Sequence, residues 1–222
     1  MIEYEVKLLG ERVALRKIFD YFRKAAPPKR NRNYAFNTYY LDTPDKDFFN
    51  AGYSLRHRTG VFEIGKDSGT ELKALTGAIG MVSARVEIEE AGSCPLDNYY
   101  RLKKRGDYPS DAPDIPRGKL RIDFATSVRR VERQAYVRIN NQMVLIEGAL
   151  DDVAYLAPEE YGDDLFDALL LSYHKEHELE FELKTDCDPD MFFKWVSENC
   201  IKDVPVQVTT ESKALRGRKL KR

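Results

Sequence analysis

Apolar and polar residues alternate over much of this chain. Residues 2–9 set Ile2, Tyr4, Val6 and Leu8 against Glu3, Glu5 and Lys7, the period-2 signature of a strand with two unlike faces. The same pattern predicts strands over 34–41, 53–59, 70–75, 83–90, 119–128, 130–139, 143–151 and 177–184. Gly, Pro, Asn and Asp separate most of them, as turns require, and Asn140-Asn141 between two runs reads as a tight hairpin. Helical spacing is rarer. Leu15, Ile18, Phe19 and Phe22 recur at the 3.6-residue period, which predicts a helix from Glu11 to Lys24 ended by Pro27-Pro28. Asp188-Pro189 reads as an N-cap and a first-turn proline, opening a helix with Phe192, Trp195 and Val196 on one face. Further helices are expected over 96–104, 159–173 and 209–219. The pattern describes an α+β chain of eight or so strands with helices at its margins, in a single domain spanning 1–222.

The polar faces of these strands carry charges of both signs. Glu3, Glu5 and Lys7 share a face because they lie two residues apart. The same holds for Arg56 and Arg58, for Glu71 and Lys73, and for Arg85, Glu87 and Glu89. Arg129 and Arg133 share parity, as do Glu147 and Asp151, and Glu178, Glu180, Glu182 and Lys184 form another row. One such strand is ordinarily a solvated sheet face. Repetition over many strands changes the picture. A dry core made of these faces is excluded, because each buried ion costs several kcal/mol against a net stability of about 5–15 kcal/mol. Closing the sheet into a barrel instead gathers the charges around one hydrated tunnel and turns the apolar positions outward toward the helices.

Composition sharpens this reading. Of 222 residues 33% are charged, yet the net charge is −1, which excludes a global field for nucleic acid or an acidic membrane. A polyanion carrying a divalent ion uses both signs at once. Arg and Lys grip phosphate oxygens, while carboxylate rows without His or Cys partners suit a hard cation, Mg²⁺ or Mn²⁺. Three cysteines, Cys94, Cys187 and Cys200, with no CxxC pair argue for reduced, inert thiols and a cytoplasmic location. No apolar run reaches the roughly 18 residues of a spanning helix, and the start MIEYEVKLLG has no apolar signal core. The basic tail from Arg216 to Arg222 reads as a solvated helix end. His57 is out of phase with Arg56 and Arg58 and is expected to face outward. His174 and His177 straddle an expected helix–strand boundary and are not read as a metal pair.

An ordered set of short motifs now gains meaning. Glu3-Tyr4-Glu5-Val6-Lys7 resembles the ExExK motif of the CYTH superfamily, the triphosphate tunnel metalloenzymes. Tyr39-Tyr40-Leu41-Asp42-Thr43-Pro44, Leu55-Arg56-His57-Arg58, Glu71-Leu72-Lys73, Arg85-Val86-Glu87, Ile146-Glu147-Gly148-Ala149-Leu150-Asp151 and Glu178-Leu179-Glu180-Phe181-Glu182-Leu183-Lys184 follow in the family's order. Ser212-Lys213 resembles its final helix. The likeness spans almost the whole chain and looks closest to the bacterial inorganic triphosphatase branch. Asp151-Asp152-Val153 departs from it, since relatives often carry glycine after the acidic pair.

The resemblance implies an eight-stranded antiparallel β-barrel, a CYTH-like triphosphate tunnel with flanking helices and one or two divalent metals. Carried onto this sequence, Lys7, Arg56, Arg58, Lys73, Arg85, Arg129 and Arg133 hold the phosphate chain, and Lys213 closes one mouth. Arg129, Arg130 and Arg133 remain alternatives for the inward face, because a bulge would shift the parity. Glu3, Glu5, Glu178, Glu180 and Glu182 bind metal, while Glu87, Glu147 or Asp151 joins a second metal or orients water. Glu5, Lys7, Glu87, Glu147 and Asp151 form the expected catalytic set. The expected substrate is inorganic triphosphate or a nucleoside or organic triphosphate, hydrolysed by a monomer or homodimer with no membrane or specific nucleic-acid partner. The rival readings are a class IV adenylyl cyclase, a polyphosphate polymerase and a non-catalytic nucleotide- or polyphosphate-binding module.

Overall fold

A computed structural model describes residues 2–60, 68–74, 78–79, 81–116, 118–160 and 169–220. The chain runs through β1 (Ile2–Leu9), α1 (Arg12–Ala25), β2 (Pro28–Asp42), α2 (Asp47–Asn50), β3 (Tyr53–Gly60), β4 (Gly69–Ala74), β5 (Ala78–Ile79) and β6 (Val82–Ala91). It continues through α3 (Pro95–Lys103), β7 (Arg121–Ile139), β8 (Gln142–Glu160), β9 (Leu169–Leu183), α4 (Pro189–Val196), a π-helical turn (Ser197–Ile201), β10 (Gln207–Thr209) and α5 (Lys213–Leu220).

The strands form one antiparallel sheet in the order β10-β1-β9-β8-β7-β2-β3-β4-β6-β5. β1 also pairs with β6, Ile2 opposite Val86 and Glu5 opposite Ser83, and this closes the sheet on itself. Among the described residues eight strands close the ring, as expected, and the short β5 and β10 are appended to β6 and β1.

The periodicity located most elements, and the differences have physical causes. The expected strands 119–128 and 130–139 are one 19-residue strand, because β8 pairs without interruption from Ala125 to Ile139. The hairpin at Asn140-Asn141 forms with φ of 46° and 65°, the left-handed conformation its two-residue turn needs. The helix expected over 159–173 is not formed at its described positions. Glu159 and Glu160 belong to β8, and 169–173 belong to β9, where Leu171 pairs with Ala157. Pairing along the upper part of β8 overrides local propensity there; residues 161–168 lie outside the described set. Thr209 likewise ends β10 instead of opening the last helix.

The main apolar core lies outside the ring. Leu15, Ile18, Phe19 and Phe22 of α1 and Phe192 and Val196 of α4 pack on Val6, Leu8, Ile146, Leu179 and Phe181. Gly148 permits the approach, since a Cβ there would stand 2.9 Å from the Phe22 ring. α2 and α3 cover Leu55, Leu72 and Ile88 with Phe48, Tyr99 and Leu102. The expectation that apolar side chains point outward fails at one end of the barrel. There Phe124, Val153 and Tyr155, on the inward parity of β7 and β8, cluster with Tyr40 and with Ala214 of α5. That end is plugged.

Candidate functional site: a charged cavity inside the barrel

The ring encloses a cavity of about 500 Å³. Its described walls carry the carboxylates of Glu3, Glu5, Glu71, Glu87, Glu89, Glu147, Glu180 and Glu182 and the cations Lys7, Arg56, Arg58, Lys73, Arg130, Lys184 and Lys213. Strand register explains why they meet. β9 sets Glu182 opposite Glu5 and Glu180 opposite Lys7, and β8 sets Glu147 opposite Glu182. β4 sets Lys73 opposite Glu87 and Glu71 opposite Arg56.

At one pole Glu3, Glu5, Glu147 and Glu182 converge. Burial, together with Glu3 and Glu147, pushes Glu182 up to about 8 although Lys184 opposes the shift. Glu87 rises to about 7, through burial and the charges of Glu71 and Glu3, against Arg56 and Lys73. Glu3 goes the other way: burial disfavours its charge, but Lys73 and Arg56 hold it at about 2. Lys73 contacts Glu3 and stands 3.1 Å from Glu87. Arg56 donates to Glu71 at 2.6 Å. The crowding of oxygen donors without imidazole or thiolate is chemistry that fits a hard divalent cation, and carboxylates raised by their neighbours are the groups such a cation would relieve.

At the other pole Asp151, Glu178 and Glu180 bring one carboxylate oxygen each within 4.8 Å of the others. Here the protein supplies its own cations. Arg130 forks onto Asp151 at 2.8 and 2.7 Å and reaches Glu180 at 2.9 Å. Lys213 lies 3.0 Å from Glu180 and 3.3 Å from Asp151, and contacts Glu178. Arg216 donates to Glu176 at 3.1 and 3.0 Å and contacts Glu178. Burial still pushes Glu178 up to about 7 against Arg216 and Lys213, whereas Lys213 and Arg130 overcome the burial of Glu180 and hold it well below its ordinary value. Asp151 and Glu178 are fully buried and stand behind the cavity wall.

Two assigned phosphate ligands are not in the cavity. Arg129 is exposed, and Arg133 points to the α1 side, donating to the carbonyls of Arg23 at 3.0 Å and Ala26 at 2.7 Å. Both have odd parity on β7, while Thr126, Val128 and Arg130 line the cavity from the even face. The continuous β7–β8 register leaves no bulge to change that parity, so Arg130 takes the inward place. The side chain of Arg85 lies outside the described set; its backbone pairs with Glu3. Arg216 went unrecognised as part of a basic tail, yet it is buried, and Arg218 binds Asp42 and Asp123 at 2.6 Å each. The i, i+3 spacing of Lys213 and Arg216 on one helix face was the available signal. His57 faces outward, buried, with Nδ1 2.9 Å from Thr70 Oγ1. His174 and His177 both lie in β9, three residues apart and so on opposite faces.

No protein-family model and no curated protein matches this sequence. Solved structures do. A Hippeastrum protein, a candidate adenylyl cyclase with a dominant triphosphatase activity, matches with TM-score 0.58 at 17% identity over 98% of this chain and 95% of that one. A Pyrococcus horikoshii protein matches at 0.59 and 17%, covering 99% of each chain. A candidate adenylate cyclase of Bacillus halodurans matches at 0.53 and 17%, covering 96% of each. At such identity the likeness establishes the fold: a curled antiparallel β-barrel with flanking helices, of the CYTH-like tunnel type. No helix among the described residues is long and apolar enough to cross a membrane.

Proposed function

We propose that this protein is a divalent-metal-dependent triphosphatase that hydrolyses inorganic triphosphate, or a related triphosphate, within the barrel, as bacterial inorganic triphosphatases of the CYTH superfamily do. The observation that carries this reading is the cavity's charge pattern. Among the described side chains, eight carboxylates and seven cations line a single enclosed space. A bare polyanion entering it would meet a formal sum of −1, so it must arrive with a divalent cation. Neither charge row alone would account for such a site.

In this reading Lys7, Arg56, Arg58, Lys73, Arg130 and Lys213 hold the phosphate oxygens. Glu3, Glu5 and Glu182 would hold the metal, with Glu180 from the adjoining row and Glu178 behind it. Bound metal would supply charge neutralisation and a bound water of lowered pKa. Glu147 and Glu87 would orient water, a role supported by each facing the cavity beside these groups. Attack in line on a terminal phosphorus then relies on positioning and on preorganised charge. The triphosphatase activity of the Hippeastrum protein supports the reading by analogy of fold.

The test is incubation with Mg²⁺ or Mn²⁺ and either tripolyphosphate or ATP. Metal-dependent orthophosphate release from tripolyphosphate is the expected result. Cyclic AMP from ATP would favour a cyclase, chain growth a polymerase, and binding without turnover a sensing module.

A further inference from the structure

One aromatic side chain in the cavity is tied to two of its cations. Phe36 lies on β2 between Gly60 of β3 and Val128 of β7. Arg58 and Arg130 stand two residues from those partners, on the strands flanking β2, and are therefore its diagonal neighbours across the sheet. The guanidinium carbon of Arg58 is 4.7 Å from the Phe36 ring centroid and that of Arg130 is 5.4 Å. Both distances fall within the range of a cation–π contact. Phe36 is 4% exposed and lines the cavity together with both cations.

The two arginines differ in what else holds them. Arg130 is locked by its fork onto Asp151 and its bond to Glu180. Arg58 stands 3.9 Å from Glu71, whose carboxylate Arg56 already engages at 2.6 Å. Its Nε is buried with no hydrogen-bond partner among the described residues. Besides the long ion pair with Glu71, the ring is thus the contact that holds the Arg58 guanidinium at the cavity wall.

From this geometry we infer that Phe36 is a positioning residue: its ring, which Arg130 also contacts, holds Arg58 on the path of the anion and so sets affinity for the phosphate chain. The inference rests on the triphosphate reading above. A leucine keeps the apolar volume but presents no ring quadrupole, so Arg58 would lose this hold and keep only its long pair with Glu71.

The experiment is steady-state kinetics with tripolyphosphate and Mg²⁺ on wild type, Phe36→Leu, Phe36→Tyr, Phe36→Trp, Arg58→Ala and Arg58→Ala/Phe36→Leu. Phe36→Leu should raise KM about fivefold with kcat within about twofold, the scale of a partly desolvated cation–π contact. Tyr and Trp should return KM to within about twofold of wild type. In the Arg58→Ala background the added Phe36→Leu should change KM by less than about twofold, because the two residues act as one unit. An unchanged KM in Phe36→Leu, equal impairment by Leu, Tyr and Trp, or additive effects in the double variant would overturn the inference. A packing role alone would lower the melting temperature and leave KM unmoved. If wild type hydrolyses no triphosphate, the functional reading fails, and the inference is judged by NMR instead. The Arg58 Nε–H resonance should be displaced by the ring current in wild type and relax in Phe36→Leu; no difference would sink it.

Discussion

Three neighbouring arginines on one strand allow a sharp test of which face of β7 looks into the barrel. Arg130→Ala removes a largely buried guanidinium, 11% exposed, that carries two bonds to Asp151 and one to Glu180. Breaking a buried pair by deleting one partner costs about 3–5 kcal/mol. Lys213 stays within 3.3 Å of Asp151 and 3.0 Å of Glu180, so part of the charge remains compensated and the low end, about 3 kcal/mol, is expected. Arg133→Ala removes hydrogen bonds to two backbone carbonyls and should cost about 1–3 kcal/mol. Arg129 is exposed, and its truncation should fall within about 0.5 kcal/mol of wild type.

Activity separates the three further. Loss of Arg130 should cut phosphate release from tripolyphosphate by about 100-fold or more, the scale of losing one preorganised charge-stabilising group. Arg129→Ala and Arg133→Ala should leave turnover of the folded enzyme near wild type. Urea unfolding at fixed m-value reads the stability, and orthophosphate release under native conditions reads the activity. Wild-type turnover in Arg130→Ala, or its loss in Arg129→Ala, would mean that β7 presents its odd face to the substrate.

The seat of α5 can be probed at Gly217, where a Cβ would lie 2.3 Å from the ring of Phe124. Phe124 cannot retreat, being stacked on Tyr40 at 4.3 Å, so Gly217→Ala should destabilise by about 1–3 kcal/mol even though alanine is the better helix former; a raised melting temperature would show that α5 is not docked. His57 is buried, and burial holds its pKa below the ordinary 6.5 despite Glu71. Between the folded value and 6.5 the unfolded chain binds more protons, so stability is full above 6.5 and falls as pH drops toward the folded value. The stability difference between wild type and His57→Asn, measured from pH 7.5 to 5, should therefore move against wild type on acidification, and a flat difference would refute it. Burial pushes Cys200 up to about 12, so native-state alkylation read by mass spectrometry should label exposed Cys94 first, Cys187 more slowly and Cys200 only on unfolding.

The barrel was legible in the sequence because its strands carry charge on one face and apolar residues on the other, and Ile2–Leu9 shows the pattern in its simplest form. Parity alone placed Glu3, Glu5, Lys7, Arg56, Arg58, Lys73 and Glu87 on a common face. Parity failed where two adjacent residues carry the same charge. Arg129-Arg130 has one arginine on each face, and only the register against Asp151-Asp152 decides between them: Arg130 meets Asp151, while Arg129 meets Asp152 on the outside. The end of the barrel was hidden for a different reason. Phe124, Val153 and Tyr155 lie at inward positions, and what covers them is α5, which returns from the far end of the chain to cap them. No local pattern encodes a contact between Gly217 and Phe124.

The same contacts bear on how a ligand would be taken up. In the protein alone nearly every cavity charge already has a partner: Lys73 has Glu3, Arg56 has Glu71, and Arg130 has Asp151 and Glu180. These pairs let the barrel hold its charges without the several kcal/mol that each unpaired buried ion would cost. A polyanion that displaced carboxylates from the arginines and lysines would strand those carboxylates, and a cation that took the carboxylates would strand the arginines. Only a ligand carrying both signs exchanges partners without leaving either row uncompensated. In the function proposed above, selectivity for a metal-bound triphosphate over either component alone would follow from the balance of the two rows and from the strand register that keeps them on one face.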